Sequence, residues 1–267
     1  MNLLVIKKYI KILYLEIRIS IRKFTTYKID FVLSLFSMIL YILTYLLFIG
    51  YLFLRVHAIA NWNIYQILIL IGFGQFWAGF YFMFIFTSSR KFIDDFIQGQ
   101  YDFIVLKPIN TRFMIFVKDI DFSSLVLIIE GIILIAYSFV NLHFAPSFEE
   151  ICLTMFIFVI ALHIAFNMQS ILLSIYILIP QRSHLYNLLN DFSEFGNFPY
   201  EVYGKFMFLV LTFVVPIVIL VNFPVRALLG ISTFNNYIIV FVVEILFMFA
   251  SNIMWRFSMK RYVSFGG

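Results

Sequence analysis

The chain has 267 residues, of which 63% are hydrophobic and 12% charged, with a formal net charge of +5; a soluble domain carries about 45–50% apolar and about 25% charged residues. That composition excludes a soluble globular domain and points to a bilayer. The basic balance then bears on which loops face which side of the membrane, and not on nucleic acid. The 36 Phe and 16 Tyr accompany abundant Ile, Asn and Lys, a pattern read as base-composition bias in preference to a dedicated aromatic role. The single cysteine, Cys152, cannot form an intrachain disulfide, and His57, His143, His163 and His184 are scattered without metal-ligand spacing.

In chain order, residues 3 to 28 mix basic and apolar side chains, with Ile6, Ile10, Leu13 and Ile17 at helical spacing and Lys7, Lys11 and Arg18 on other faces. This reads as a basic amphipathic helix in the headgroup plane, either a lipid anchor alone or one that also touches a cytoplasmic partner. A membrane-crossing helix needs about 20 mainly apolar residues. Six stretches qualify: 31–54, 65–86, 124–140, 151–179, one from near Phe206 that meets Pro216, and 237–254. Between the second and third lies a charged passage. There "SSRKFIDDFIQGQ" predicts a short helix with Phe92, Ile93, Phe96 and Ile97 along an apolar edge and Gly99 at its end, and Asn110 or Thr111 caps a further helix. A helix with an exposed apolar edge is what a partner's groove binds.

An even number of spans puts both termini on one side. If that side is the cytoplasm, all but Arg55 and Arg226 of the 19 Lys and Arg lie inside. So lopsided a distribution predicts cytoplasmic termini and a cytoplasmic passage at 88–122. No cleavage-site pattern near the start suggests a removable signal peptide.

Ionisable groups within spans mark function or buried pairing. Glu130 and Glu244 belong either to a substrate or ion route or to hydrogen bonds with neighbouring helices or an interface, and the structural reading is preferred. His163 and Asn167 share a helix face near Gln169, and interhelical hydrogen bonding is their expected role. The chain has no phosphate-binding loop, no H-E-x-x-H and no G-x-S-x-G, so catalysis is not expected.

Two blocks resemble the ABC-2 type permeases, in particular a six-span bacterial subfamily. The first is "GQYDFIVLKPIN" with "DIDFSSL" after it. The second, "FPYEVYGKFMFLVLTFVVPIVILVNFPVRALLG", carries Phe198, Pro199, Thr212, Phe213, Pro216, Asn222, Pro224 and Gly230. The resemblance implies an all-α integral membrane protein with six transmembrane helices and an N-terminal connecting helix over residues 1–28. A permease domain would follow over 29–257, with a coupling loop at 88–122, and a cytoplasmic tail over 258–267. It implies ATPase coupling through Phe92, Asp95, Phe96, Ile97, Gly99, Asp102 and Pro108. A short re-entrant element between spans five and six would involve Pro216, Asn222, Pro224 and Gly230. The implied function is the permease subunit of an ATP-driven exporter in the bacterial cell membrane. It would pair with a second permease subunit, a related chain or otherwise a second copy, and with two cytoplasmic ABC ATPase subunits. These would hold ATP and Mg, with no cofactor on this chain; membrane lipid is a partner and nucleic acid is not. The alternative is a six-span scaffold or sensor that docks a cytoplasmic partner without transport.

Overall fold

The computed structural model describes residues 3–26, 28–179 and 187–262. Arg182, His184 and residues 263–267 of the expected tail lie outside the described residues, as do the side chains of Ile6 and Lys28. Among the described residues the fold is all-helical, with one isolated bridge, Ile59 to Trp62.

The amphipathic α1 spans Leu3–Thr26 and leads into α2, Lys28–Phe53. After a short loop, Asn63 caps α3, Ile64–Tyr81, in a reciprocal capping box with Gln66. A π-helical turn, Phe82–Phe86, carries α3 without interruption into α4, Thr87–Ile97. The expected second span and the expected loop helix are therefore one continuous helix. The polar start read at Ser88 and Ser89 does not break it, because Ser89 donates back to the Ile85 carbonyl at 2.6 Å and Ser88 to the Lys118 carbonyl at 2.6 Å.

Two short helices follow, α5 over Asp102–Val105 and α6 over Thr111–Val117, the latter capped by Asn110. A 3-10 turn at Phe122–Ser124 opens α7, Leu125–Leu142, and Ser147 with Glu150 boxes the start of α8, Phe148–Leu178. The last long helix, here α12, is Phe234–Lys260. Between α8 and α12 lie α9 (Leu188–Asp191), α10 (Lys205–Phe213) and α11 (Phe223–Leu228), with 3-10 turns at Ser193–Asn197 and Tyr200–Val202.

Among the described residues five helices are long and apolar enough to cross a membrane, and α10 with Val218–Leu228 forms a further pair bent by 80°. The helices pack mainly as α3 on α7 and α8 on α12, with α11 against α8. Small residues permit the first pairing: a Cβ on Gly131 would lie 2.4 Å from the Gly72 carbonyl and 2.6 Å from the Phe76 nitrogen. The face of α2 is largely exposed, with Leu33, Phe36, Leu40, Leu43 and Leu47 outward.

The expected fifth span is not a continuous helix. Its apolar run is broken after Phe213, just before Pro216, which has no N–H to continue a helix and disfavours helical geometry before it. The turns from 188 to 202 instead run along α3. Asn190, Ser193 and Glu194 share cavity walls with Gln75, Trp77 and Ala78, and a Cβ on Gly74 would meet Asn197 Oδ1 at 2.9 Å. Glu201 then pairs with Arg226, whose guanidinium lies 4.2 Å over the Tyr200 ring and 5.6 Å over that of Trp62, just ahead of α3. The bent pair packs on this segment. Its elbow, Ile217, would be 3.1 Å from a Cβ on Gly196, while Phe208 on one arm stacks against Tyr200 at 5.1 Å and Arg226 on the other reaches Glu201.

Candidate functional site

The loop between α3 and α7 is a built structure. Helix α4 ends at Gly99, φ +69°, in a Schellman cap: Gly99 donates to the Phe96 carbonyl at 3.1 Å and Gln100 to the Asp95 carbonyl at 2.8 Å. Asp95 is buried and ion-paired with Lys91 at 3.0 Å and with Lys118, which ties α4 to the bend after α6. The exposed edge expected at Phe92 and Phe96 is corrected: both are buried, at 2% and 3% exposure. Periodicity placed them on one face, and that face turns inward. There they stack with Tyr101 at 4.8 and 5.8 Å, and Phe96 also meets Tyr176 of α8 and Tyr262 beyond α12. Tyr262 in turn donates to the Asp102 carboxylate. The exposed large apolar side chains of the loop are Ile97, Phe103 and Leu106, at 62%, 70% and 80%.

Helix α1 lies in register along this loop. Lys8 donates to the Pro108 carbonyl at 3.2 Å, the Asn110 N–H donates to the Tyr9 hydroxyl at 3.1 Å, and the Tyr9 ring sits edge-on to Phe113 at 4.6 Å. Three to four turns on, the Ile120 N–H donates to Ser20 at 3.1 Å and Lys23 pairs with Asp119. The face of α1 bearing Ile10 and Leu13 points away from the protein.

Arg112 on α6 joins the loop to the bundle. Its guanidinium donates to Ser170 at 2.9 Å and Asn167 at 2.9 Å on α8, and to Ser251 at 2.8 Å and Asn252 at 3.0 Å on α12; it also stacks 4.6 Å over Phe166. Burial pulls its pKa down to about 10, so it stays charged at neutral pH. From Asn167 the contacts continue along α8 to His163 at 3.3 Å, which meets the Glu244 carboxylate of α12. Ser170 to His163 is seven residues, about 10 Å of helix, so a line of polar groups descends between α8 and α12 from the loop. Glu130 stands apart, both carboxylate oxygens buried with no hydrogen-bond partner among the described residues.

The profile of the ABC-2 family transporter proteins matches residues 39–266. The chain belongs to that family. No curated protein and no solved structure matches it. As an ABC-2 family protein it is a multi-pass membrane transport permease, in keeping with its apolar helices. Within this ABC-2 chain the second resembling block lies at the end of the bundle away from the loop. There the buried Asn222 accepts from the Tyr200 N–H at 3.0 Å and donates to the Gly196 carbonyl at 3.2 Å. The Pro224 carbonyl accepts from Thr154, and Gly230, φ +67°, lies where a Cβ would be 2.3 Å from a Glu150 carboxylate oxygen. Pro216 stands at the elbow.

Sequence reasoning singled out His163, Asn167 and Glu244, which the structure joins. It counted Arg112 and Arg226 only as charges. The signal for Arg112 was the polar face of Asn167, Ser170 and Ser174 in an otherwise apolar helix, an acceptor set without an obvious donor. It also passed over Glu194, whose carboxylate accepts from Tyr41 and from Asn197 beside the middle of α3.

Proposed function

We propose that the chain is the permease subunit of an ATP-driven exporter, forming the export pathway with a second permease subunit, a related chain or else a second copy. Two copies of a cytoplasmic ABC ATPase subunit would drive it, with ATP and Mg held there. The observation that carries this reading is the fastening of the 88–122 loop. It is clamped along α1, glued by aromatic stacking to the ends of α8 and α12, and hydrogen-bonded through Arg112 to both spans. A force on the loop therefore moves α8 and α12 together.

In this reading residues 1–28 are the connecting helix, 29–257 the permease domain and 258–267 the tail, in the bacterial cell membrane with both termini cytoplasmic. The outward Ile10 and Leu13, with exposed Lys7, Lys11 and Arg18, rest α1 on the lipid headgroups. Docking falls to Ile97, Phe103 and Leu106. Phe92 and Phe96 serve from inside, by holding α4 to α8. Asp95 anchors α4, Gly99 turns the chain, and Asp102 and Pro108 tie the turn to Tyr262 and Lys8. ATPase dimer closure pushes this surface, and Arg112 passes the displacement to α8 and α12. The bent pair after Gly204, with Pro216 at its elbow and Asn222 and Pro224 beyond, supports a re-entrant element that starts earlier than the sequence suggested.

The test is co-purification from native membranes with wild type and with an Ile97→Asp, Phe103→Asp, Leu106→Asp variant. A Walker-motif ATPase retained by wild type and lost by the variant, its hydrolysis stimulated by the permease, is the expected outcome. A partner whose hydrolysis does not respond, or no ATPase at all, moves the scaffold or sensor reading to first place.

A further inference from the structure

A cavity of about 320 Å³ lies between α2, α3 and the broken segment 188–197, within the range of small-molecule sites, about 300–1,000 Å³. It lies beside Gly74 to Ala78, ten to fourteen residues into α3, or about 15–20 Å from the helix start at 1.5 Å per residue. In a hydrocarbon core about 30 Å thick that is near the middle.

Three features of its wall point to a ligand. Glu194 brings a carboxylate to this depth with neutral partners, the Tyr41 hydroxyl and the Asn197 amide at 3.0 Å, and among the described residues no Lys or Arg lines the cavity. Trp77, 2% exposed, lines the same wall, and its indole N–H finds no acceptor among the described residues. The wall opposite α3 is non-helical or only briefly helical backbone, tolerated at membrane depth where it is buried in protein or lines a polar cavity. Discontinuous segments at mid-depth are where transporters bind charged cargo.

We propose that this cavity binds an organic ammonium ion that also carries a carbonyl or hydroxyl oxygen. The cation sits against the Glu194 carboxylate with the Tyr41 and Trp77 rings beside it, and the oxygen accepts from the Trp77 indole N–H. An anion is excluded by Glu194. A purely apolar ligand leaves the Glu194 charge without a counter-charge and the indole N–H without an acceptor. The inference rests on the permease reading only in making this ligand cargo.

The probe is benzoylcholine, with its neutral carbon isostere 3,3-dimethylbutyl benzoate as control, and equilibrium binding is measured on the full chain in lipid nanodiscs without any ATPase. Wild type is expected to bind benzoylcholine saturably and the isostere about tenfold or more weaker, and Glu194→Gln to lose about tenfold in affinity for the cation, a step of about 1.4 kcal/mol. Trp77→Phe, which keeps a ring and removes the N–H, is expected to lose about threefold. Thermal unfolding reports the integrity of each variant, and the comparison of cation with isostere on wild type decides the matter if Glu194→Gln does not fold. Equal binding of cation and isostere, undiminished binding by a folded Glu194→Gln, or no saturable binding to wild type overturns the proposal. None of those results bears on ATPase coupling, whereas binding without ATP-driven movement overturns the transport reading alone.

Discussion

Arg112 shows how one side chain can do what a loop sequence does not advertise. A half-buried charge donating to four hydrogen-bond acceptors on two helices is costly to lose, since a hydrogen bond to a charged group contributes about 1.5–3 kcal/mol. Arg112→Gln is expected to keep the ATPase bound, because the exposed docking side chains are untouched, while ATP-driven transport falls at least about tenfold, as for a lost barrier contribution of about 1.4 kcal/mol. Arg112→Lys is expected to rescue little, since an ammonium cannot reach both helices as a planar guanidinium does. Transport by either variant at the wild-type rate would remove Arg112 from the mechanism. At the other end, Arg226 is 6% exposed and paired with Glu201. Arg226→Met is expected to lower the unfolding temperature in detergent, from a loss of about 1–2 kcal/mol as its contacts with the Tyr200 and Trp62 rings and with the exposed Glu201 go, and a Glu201→Leu, Arg226→Met double variant to recover part of it. Neither arginine's partner is close in sequence, so only the acceptor pattern on α8 foreshadowed the first, and nothing foreshadowed the second.

Elements were legible where one physical quantity decides them. Five long apolar runs became helices because each backbone must bond within itself in lipid, and Asn110 caps α6 as its side chain requires. The fifth run, expected to meet Pro216, is a pair of helices bent by 80° there, and apolar length alone does not give the sharpness of that break. The periodicity of α4 gave its face and not its direction, so Phe92 and Phe96 were expected outside and lie inside. The register of α1 along residues 108 to 120 is a contact between distant segments, invisible to any local pattern. On a Cys152→Ser background, a Ser20→Cys, Ile120→Cys pair is expected to cross-link with a short bismaleimide, and a Lys11→Cys, Ile120→Cys pair, more than two turns out of register, to give none. Equal cross-linking of the two pairs would contradict the clamp. For α3 and α7, Gly131→Leu is expected to separate the helices and abolish a monodisperse purified protein, because its Cβ alone meets the Gly72 backbone at 2.4 Å. A stable, monodisperse Gly131→Leu would count against the pairing.

At the scale of the whole molecule, the polar groups form two systems at different depths. One starts at the charged loop and descends from Arg112 between α8 and α12 to Glu244. The other lines the cavity between α2, α3 and the broken segment. The exposed apolar face of α2 beside that cavity is available to lipid or to the second permease subunit. The central claim is that the loop around Phe103 meets an ABC ATPase on the cytoplasmic side. It is tested most directly by placing one cysteine at Phe103 on the Cys152→Ser background, attaching a thiol-linked photocrosslinker in inside-out membrane vesicles, and identifying the adduct by mass spectrometry. Labelling is expected in inside-out vesicles and not in right-side-out ones, with a Walker-motif ATPase as the cross-linked partner. Labelling only from the opposite side, or adducts with lipid and no ATPase, would contradict it.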